Sequence, residues 1–132
     1  PSVLADRGLG GVVTLGVLRT TLNGLPPKAL AVLKSKYPSI GLRLRPGLTG
    51  TLLTEINRGN LDVDIVTKPH LIPPGIWSRE LAQEPMQLIA AQKEPGNDPF
   101  ELLTTRPFIR FNRSAVLGTL IENWILSKRL HV

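Results

Sequence analysis

Strands alternate with helices twice in succession between Gly11 and Val66, and this order constrains the fold more than any other feature of the chain. The run Val12–Leu18 is apolar and rich in β-branched residues, which is typical of a strand buried on both faces. Two strand–helix steps in a row predict a parallel sheet with helices packed against it, an α/β fold. The predicted elements are a strand at Val12–Leu18, a helix ending at Tyr37-Pro38, a strand at Ile40–Arg45, a helix at Thr49–Arg58 followed by Gly59, and a strand at Leu61–Ile65.

Mostly polar residues stand at the end of each predicted strand. They are Arg19, Thr20 and Thr21 after the first strand, Leu48 and Thr49 after the second, and Thr67 after the third. Parallel sheets bind ligands at the carboxyl ends of their strands, where helix N-termini present free N–H groups. Threonine hydroxyls and an arginine at this edge suit a carboxylate, sulfate or phosphate group. A second interpretation stays open, in which the threonines only cap helices, Thr49 as the N-cap of the second helix.

The sequence pattern changes after Val66. Three prolines lie between residues 68 and 75, which predicts a loop. Met86–Ala91 reads as a strand, Glu101–Thr104 as one helical turn, and Phe108–Phe111 as a further strand. Asn112, Arg113 and Ser114 follow at the position where the final helix should be capped, so they form another polar turn that could face a ligand.

Length and composition predict one folded domain without a membrane segment. The chain has 132 residues, of which 42 % are hydrophobic and 20 % charged. It contains no cysteine, which excludes disulfides, thiolate metal sites and a cysteine nucleophile, and fits the reducing cytoplasm. No apolar run approaches the roughly 20 residues needed to span a bilayer, and the first residues lack the pattern of a secretory signal. We therefore expect a cytoplasmic protein with no membrane partner.

The charge balance is basic, with 16 Lys and Arg against 10 Asp and Glu and a net charge of +6. The cations are dispersed from Arg7 to Arg129, form no run and are interleaved with few aromatic residues. This distribution favours a basic solvated surface or a pocket tuned for anions over nucleic-acid binding by this segment.

The order of these short motifs resembles the effector-binding domain of LysR-type transcriptional regulators. The resemblance covers roughly residues 11–130, and it rests on the order and spacing of the motifs because each one is short. The matching positions are Gly16, Leu25-Pro26, Tyr37-Pro38, Gly47, Thr49, Gly59–Ile65, Pro74-Gly75-Ile76, Leu81, Glu84, Met86–Ala91, Pro107-Phe108-Ile109, Gly118 and Trp124.

The resemblance implies a periplasmic-binding-protein-like fold of type 2, in which two crossing strands join two α/β lobes. A small effector, expected here to be anionic, would bind between the lobes at the strand-end residues above and at Asn112, Arg113 and Ser114. The domain would form head-to-tail homodimers or higher homo-oligomers. DNA would be bound only by a separate N-terminal winged helix-turn-helix domain, which this chain lacks, and no cofactor is expected.

The resemblance also divides the chain. Residues 1–10 are predicted to be a linker, 11–84 the first α/β lobe, 85–92 a crossing strand and 93–132 the start of the second lobe. A complete family domain continues through the rest of the second lobe and returns to the first. The chain therefore resembles a C-terminally incomplete domain, with a largely present first lobe and a partial second one.

No group of residues in the sequence suggests catalysis or a metal site. Asp62 and Asp64 lie two apart on a strand and hence on one face, but no histidine lies within five residues of them. His70 and His131 lack ligand-like spacing, and no phosphate-binding loop, dinucleotide fingerprint or nucleophile elbow occurs. We therefore expect no enzyme. The leading hypothesis is the effector-sensing domain of a bacterial LysR-type regulator, and the alternative is a periplasmic solute-binding protein of a transport system, which shares the fold.

Overall fold

The chain forms two compact units. The computed structural model describes residues 9–132, and most of the predicted linker at residues 1–10 lies outside them. The first unit extends to Trp77 and the second comprises Ser78–Val132.

The first unit is an α/β structure, as the sequence predicts. Its elements are β1 (Gly11–Leu18), a short 3-10 helix (Arg19–Thr21), α1 (Leu25–Lys36), β2 (Ile40–Gly47), α2 (Thr49–Asn57) and β3 (Val63–Ile65).

The three strands form a parallel sheet in the order β2-β1-β3. Leu18, the last residue of β1, is in register with Gly47, the last residue of β2. Val17 is in register with Ile65, the last residue of β3. All three strands therefore end at one edge of the sheet, which confirms the parallel arrangement and places the segments that follow them side by side.

Helix α2 packs on one face of the sheet because two glycines leave room for it. A Cβ atom on Gly16 would lie 2.8 Å from a methyl of Leu61 and 3.0 Å from a methyl of Leu52. A Cβ atom on Gly47 would lie 3.0 Å from the same leucine, which is 3 % exposed. The absence of side chains on β1 and β2 at these points lets Leu52 approach the backbone of the sheet.

Helix α1 belongs on the opposite face. The steps β1–α1–β2 and β2–α2–β3 cross the sheet in opposite directions, and right-handed crossovers then place their helices on opposite faces. The face turned away from α2 carries Leu15 and Val17 of β1, and both are buried. The core of the first unit thus lies on both sides of the central strand.

The ends of α2 differ in part from the sequence prediction. Thr49 is the first helical residue, and the N-cap is Leu48, so the expectation that Thr49 caps the helix is wrong. At the other end Gly59 has φ +78°, its N–H donates to Ile56 O, and the N–H of Asn60 donates to Glu55 O. These two bonds form a Schellman motif, which confirms Gly59 as the residue that ends the helix.

Asp62 extends the pairing between β1 and β3 by one residue before Val63, where the ladder begins. The backbone N–H of Asp62 donates to Thr14 O over 3.0 Å. In return the backbone N–H of Thr14 donates to the Asp62 carboxylate over 2.8 Å. The side chain takes the place of a backbone acceptor, so β3 is held to the central strand although only Val63–Ile65 are in strand conformation.

The second unit contains two helices, α3 (Pro99–Thr105) and α4 (Val116–Ser127). Asp98 caps α3 by accepting a hydrogen bond from the N–H of Phe100 over 2.9 Å. The ring of Phe100 stacks on Trp124 of α4 with centroids 6.2 Å apart. Stacking of this kind joins the two helices at the surface of the unit.

The strands predicted at Met86–Ala91 and Phe108–Phe111 are wrong, because neither segment is in a strand. A strand persists only where a neighbouring strand supplies partners for its N–H and C=O groups. Within residues 9–132 the strand pairs are β1 with β2 and β1 with β3. The crossing strand at residues 85–92 is therefore absent from this structure, and the lobe boundaries stay a prediction.

The turn before α4 packs directly against Gly118. A Cβ atom at this position would lie 1.9 Å from the backbone oxygen of Asn112 and 2.9 Å from the Cα atom of Arg113. These neighbours are backbone atoms, which cannot rotate away as a side chain could. The glycine is therefore a steric requirement of the turn.

We predict that Gly118→Ala lowers the free energy of unfolding by about 3 kcal/mol or more, because the new methyl group collides with the backbone. Gly50→Ala is the matched control. Gly50 lies in α2 with nothing within 4 Å of the site of its Cβ, so alanine should be neutral or stabilise by up to about 1 kcal/mol. Urea unfolding followed by circular dichroism measures both, and equal effects of the two substitutions would contradict the proposed collision.

Candidate functional site

The carboxyl edge of the sheet gathers six of the nine residues predicted from the sequence. The register places the segments after β1 and β2 next to each other, and the segment after β3 on the other side of β1. The six residues are Arg19, Thr20, Thr21, Leu48, Thr49 and Thr67.

The segment after β1 forms a tight 3-10 turn at Arg19–Thr21. The hydroxyl of Thr21 donates back to the carbonyl of Leu18 over 2.9 Å, so this side chain stabilises the turn. Arg19 and Thr20 are exposed. Among residues 9–132 no carboxylate forms a salt bridge with Arg19, and its guanidinium can pair with an external anion.

Thr49 is the most deeply placed polar residue of this edge. It is 4 % exposed, and its hydroxyl makes no side-chain hydrogen bond to another part of residues 9–132. It stands at the first position of α2, where the N–H groups of the first turn have no intrahelical acceptor. The helix N-terminus carries a partial positive charge, so the hydroxyl and the free N–H groups here can donate hydrogen bonds to an anion.

Thr67 lies two residues beyond the end of β3 and is half-buried, and the exposed Lys68 follows it. Because β3 pairs with β1 on the side opposite β2, Thr67 and Arg19 follow neighbouring strands at the same edge of the sheet. The sequence predicted this edge, but the strand order needed the structure.

Asp64 is a residue of this region that the sequence analysis did not assign to the site. It lies on β3 in register with Gly16, and the Cβ of Asp64 is 3.0 Å from where a Gly16 Cβ would stand. Its Oδ2 atom is buried and has no hydrogen-bond partner within residues 9–132. Desolvation by burial raises the pKa of the Asp64 carboxyl above its ordinary value.

Asp62 and Asp64 do not form a catalytic pair. The Asp62 carboxylate is held by the Thr14 N–H, whereas Asp64 faces Gly16 under Leu52 and Leu61. Residues 9–132 contain no group of three or more His, Asp or Glu side chains that could hold a metal ion. Within the same residues, no helix has the length and apolar character that crossing a membrane requires.

Asn112, Arg113 and Ser114 belong to the second unit and form the turn before α4. Helix α4 begins at Val116 with Ala115 as its N-cap, so the predicted capping role of the three residues is wrong. The Asn112 side chain instead accepts hydrogen bonds from the N–H and the hydroxyl of Ser114, over 3.0 and 2.8 Å. These local hydrogen bonds occupy the side chains of Asn112 and Ser114. The role of all three residues at a ligand stays a prediction.

Arg113 also takes part in an ion-pair cluster of the second unit. Its Nε atom lies 3.8 Å from a carboxylate oxygen of Glu122, which also pairs with Arg110. Arg110 donates a further hydrogen bond to the backbone oxygen of Val132 over 2.7 Å and lies over the ring of Phe108. This cluster ties the residues before and after α4 to that helix.

Comparison with known proteins identifies the family. Residues 6–132 match the model of the LysR substrate binding domain. The chain belongs to the LysR substrate-binding domain family. This confirms the α/β fold of the periplasmic-binding-protein-like type and the effector-binding domain family that the sequence resembles.

Similar proteins are bacterial regulators. The chain is 28 % identical over 120 residues to the HTH-type transcriptional regulator CzcR of Bacillus cereus (strain ZK / E33L), covering 91 % of this chain and 40 % of CzcR. It is 30 % identical over 115 residues to the HTH-type transcriptional regulator SoxR of Arthrobacter sp. (strain TE1826), covering 87 % and 38 %. The chain thus spans about two fifths of the length of these relatives.

One similar solved structure is a variant of the OxyR2 regulatory domain from Vibrio vulnificus. It is 33 % identical to the chain, with a TM-score of 0.49, and the match covers 53 % of this chain and 33 % of that one.

We predict that the free energy of unfolding of Asp64→Asn, relative to that of the wild type, is higher at neutral pH than at acidic pH. With its pKa raised by burial, Asp64 ionises less readily in the folded than in the unfolded chain, so its contribution to stability falls as pH rises from the ordinary value of 3.8 through the raised pKa. The asparagine variant cannot ionise and lacks this loss. Urea unfolding at several pH values should therefore show that the free energy of unfolding of the variant, relative to the wild type, increases with pH.

Asp62→Asn is the control for this prediction. It keeps an acceptor for the Thr14 N–H but removes the negative charge, so it should lower stability at neutral pH by about 1 kcal/mol. If Asp64→Asn behaved like Asp62→Asn, the Asp64 carboxylate would have a stabilising partner, and the account of its burial would be wrong.

Proposed function

We propose that this chain is the effector-sensing part of a bacterial transcription regulator and that the carboxyl edge of its first unit binds the anionic group of a small effector. The observation that carries the proposal is Thr49, a buried residue at the N-terminus of α2 whose hydroxyl makes no side-chain hydrogen bond within residues 9–132. Family membership supports the sensing role.

The three parts of the edge would contribute in different ways. The N–H groups of the first turn of α2 and the Thr49 hydroxyl would donate hydrogen bonds to one anionic group. Arg19, exposed after β1, would add a positive charge. Thr67, which follows β3 on the other side of β1, would contact the remainder of the effector. No group in this arrangement breaks or forms a covalent bond, so we infer binding without catalysis.

The regulator as a whole would couple effector binding to DNA contact. A ligand that binds two arrangements of the protein with different affinity shifts the population between them. The relatives are named HTH-type transcriptional regulators, and we propose that DNA is bound by a helix-turn-helix domain outside this chain, in the cytoplasm. These relatives favour a regulator over the periplasmic solute-binding protein that the sequence left as the alternative.

We predict that Thr49→Ala weakens binding of inorganic sulfate to the first unit by about tenfold, because one charge-assisted hydrogen bond is lost. Sulfate is titrated into the isotope-labelled chain, and the amide signals of residues 49–51 report binding. Thr51→Ala is the matched control, since Thr51 is exposed on the same helix, and it should leave the affinity unchanged.

The same substitutions can be tested in a full-length regulator that carries this domain. Thr20→Ala together with Thr49→Ala should abolish or shift the response of a reporter gene to the effector. A response that stays the same, or sulfate shifts that map away from α2, would contradict the proposed site.

We also propose that the chain forms homodimers through α1 and β2, paired with the second unit of a neighbouring copy around residues 115–129. Val32 of α1 and Leu44 of β2 are apolar and exposed, and β2 is an edge strand of the sheet. A closed two-fold arrangement would use each of these surfaces twice.

For the dimer, sedimentation should show association of the chain at micromolar concentration, and Leu44→Glu should produce a monomer because it introduces a charge into the apolar contact. Leu71→Glu is the control, since Leu71 is 86 % exposed on a loop of the same unit. A wild-type monomer, or equal loss of association in both variants, would contradict the proposed interface.

A further inference from the structure

Asp64 is a titratable residue to which the proposed function assigns no role. It stands on β3, one position before the carboxyl end of that strand. Its Oδ2 atom is buried and has no hydrogen-bond partner within residues 9–132, and burial raises the pKa of its carboxyl. The fold therefore leaves a carboxyl oxygen buried without a donor, close to the edge of the sheet where the anion site is proposed.

Asp64 packs near the helix that carries Thr49. The position that a Cβ atom of Gly16 would occupy is 3.0 Å from the Cβ of Asp64 and 3.0 Å from a methyl of Leu52. Asp64 and Leu52 therefore meet over Gly16 on one face of the sheet. Leu52 lies one turn after Thr49 in α2. Helix residues one turn apart are about 5–6 Å from each other, which places the Asp64 carboxyl on the order of 10 Å from the first turn of α2.

The other two carboxylates of the first unit are engaged elsewhere. Glu55 belongs to the last turn of α2, at the end opposite Thr49. It pairs with Arg58 at 3.6 Å and accepts a hydrogen bond from Asn60. Asp62 accepts from a backbone N–H of β1 and lies two residues farther from the carboxyl edge. Neither of these carboxylates shares the packing position over β1 that brings the third one close to α2.

The cations of the first unit are exposed, and several lie around this edge. From residue 9 onward this unit contains eight Lys and Arg against three Asp and Glu. Arg43 and Arg45 lie on β2, on the same face as the buried carboxyl but with β1 in between. Arg19 and Lys68 belong to the segments after β1 and β3. Lys and Arg side chains stay positively charged from acidic to neutral pH, so their attraction for an anion does not change over this range.

We propose that anion binding at the start of α2 is coupled to protonation of Asp64, so that the domain binds its effector more tightly as the pH falls. The inference rests on the proposed anion site at Thr49. A bound anion and an ionised carboxylate repel each other, whereas a neutral carboxyl carries no charge to repel. At a separation of about 10 Å and an effective dielectric constant of about 20, the repulsion between two unit charges corresponds to roughly a tenfold change in affinity.

The coupling acts in both directions. Two ligands of one protein change each other's affinity by the same factor, and here the two ligands are a proton and an anion. A bound anion should therefore make Asp64 hold its proton roughly tenfold more tightly. The change in anion affinity falls in the pH range where Asp64 titrates, which burial moves upward from the ordinary value of 3.8.

The test uses the 132-residue chain and inorganic sulfate, which keeps its charge over this pH range. Sulfate affinity is measured from the amide signals of residues 49–51 at a series of pH values, and circular dichroism verifies that the fold is retained. The wild type should bind sulfate roughly tenfold more tightly at the acidic end of the series than at neutral pH. Asp64→Asn should bind with a nearly constant affinity, equal to that of the wild type at acidic pH.

Asp62→Asn is the matched control, because it removes the same charge from the same edge of the sheet. It should keep the pH dependence of the wild type. Loss of the pH dependence in both variants would mean that net charge alone matters. Persistence of the pH dependence in Asp64→Asn would assign it to another group, such as the exposed His70. Either result would overturn the proposal.

The NMR signal of the Asp64 carboxyl carbon gives a second measurement that needs no substitution. Titration of the wild type should show that Asp64 keeps its proton to higher pH when sulfate is bound, and identical titration curves would contradict the coupling. Sulfate that binds at α2 with the same affinity at every pH would overturn this inference and leave the proposed function intact. Sulfate that binds nowhere on the first unit would overturn both.

Discussion

The pairing of β1 with a strand on each side is the interaction on which the rest of the first unit depends. Because both pairs are parallel, the register that aligns Leu18 with Gly47 also fixes where the following segments begin. The 3-10 turn after β1 and the first turn of α2 are thereby brought to one edge. An antiparallel arrangement of the same strands would have placed them at opposite ends of the sheet.

Close packing of α2 against the sheet fixes the position of the candidate site at the start of this helix. Gly16 and Gly47 let Leu52 approach the strands, and Leu52 lies one turn after Thr49 in the same helix. The burial of a polar residue at the helix start is thus a consequence of an apolar contact one turn later. At the proposed site this order would exist before a ligand binds, so binding energy would not be spent on ordering the Thr49 hydroxyl.

Asp62 and Asp64 show how neighbouring carboxylates acquire different properties from their surroundings. The Thr14 N–H binds the Asp62 side chain and makes it part of the sheet. Two residues later, half-buried Asp64 is in register with Gly16, and its Oδ2 atom is buried without a hydrogen-bond donor within residues 9–132. The Asp62 carboxylate helps to hold β3 to β1, whereas burial opposes ionisation of Asp64. Engagement of the acidic residues inside the first unit also leaves its exposed arginines and lysines unneutralised, which gives this unit a strongly basic surface.

The sequence by itself determined the alternation of strands and helices up to Ile65, the end of α2 at Gly59, and the polar residues at the strand ends, because these follow from local periodicity and from the conformational freedom of glycine. It failed for Met86–Ala91 and Phe108–Phe111, since an apolar run becomes a strand only when a neighbouring strand accepts its hydrogen bonds. It also misplaced the caps at Thr49 and at Asn112–Ser114, where the exact start of a helix depends on backbone geometry. Only the tertiary structure decided the strand order, the burial of Thr49 and the contrast between Asp62 and Asp64, because each of these depends on contacts between residues far apart in the chain.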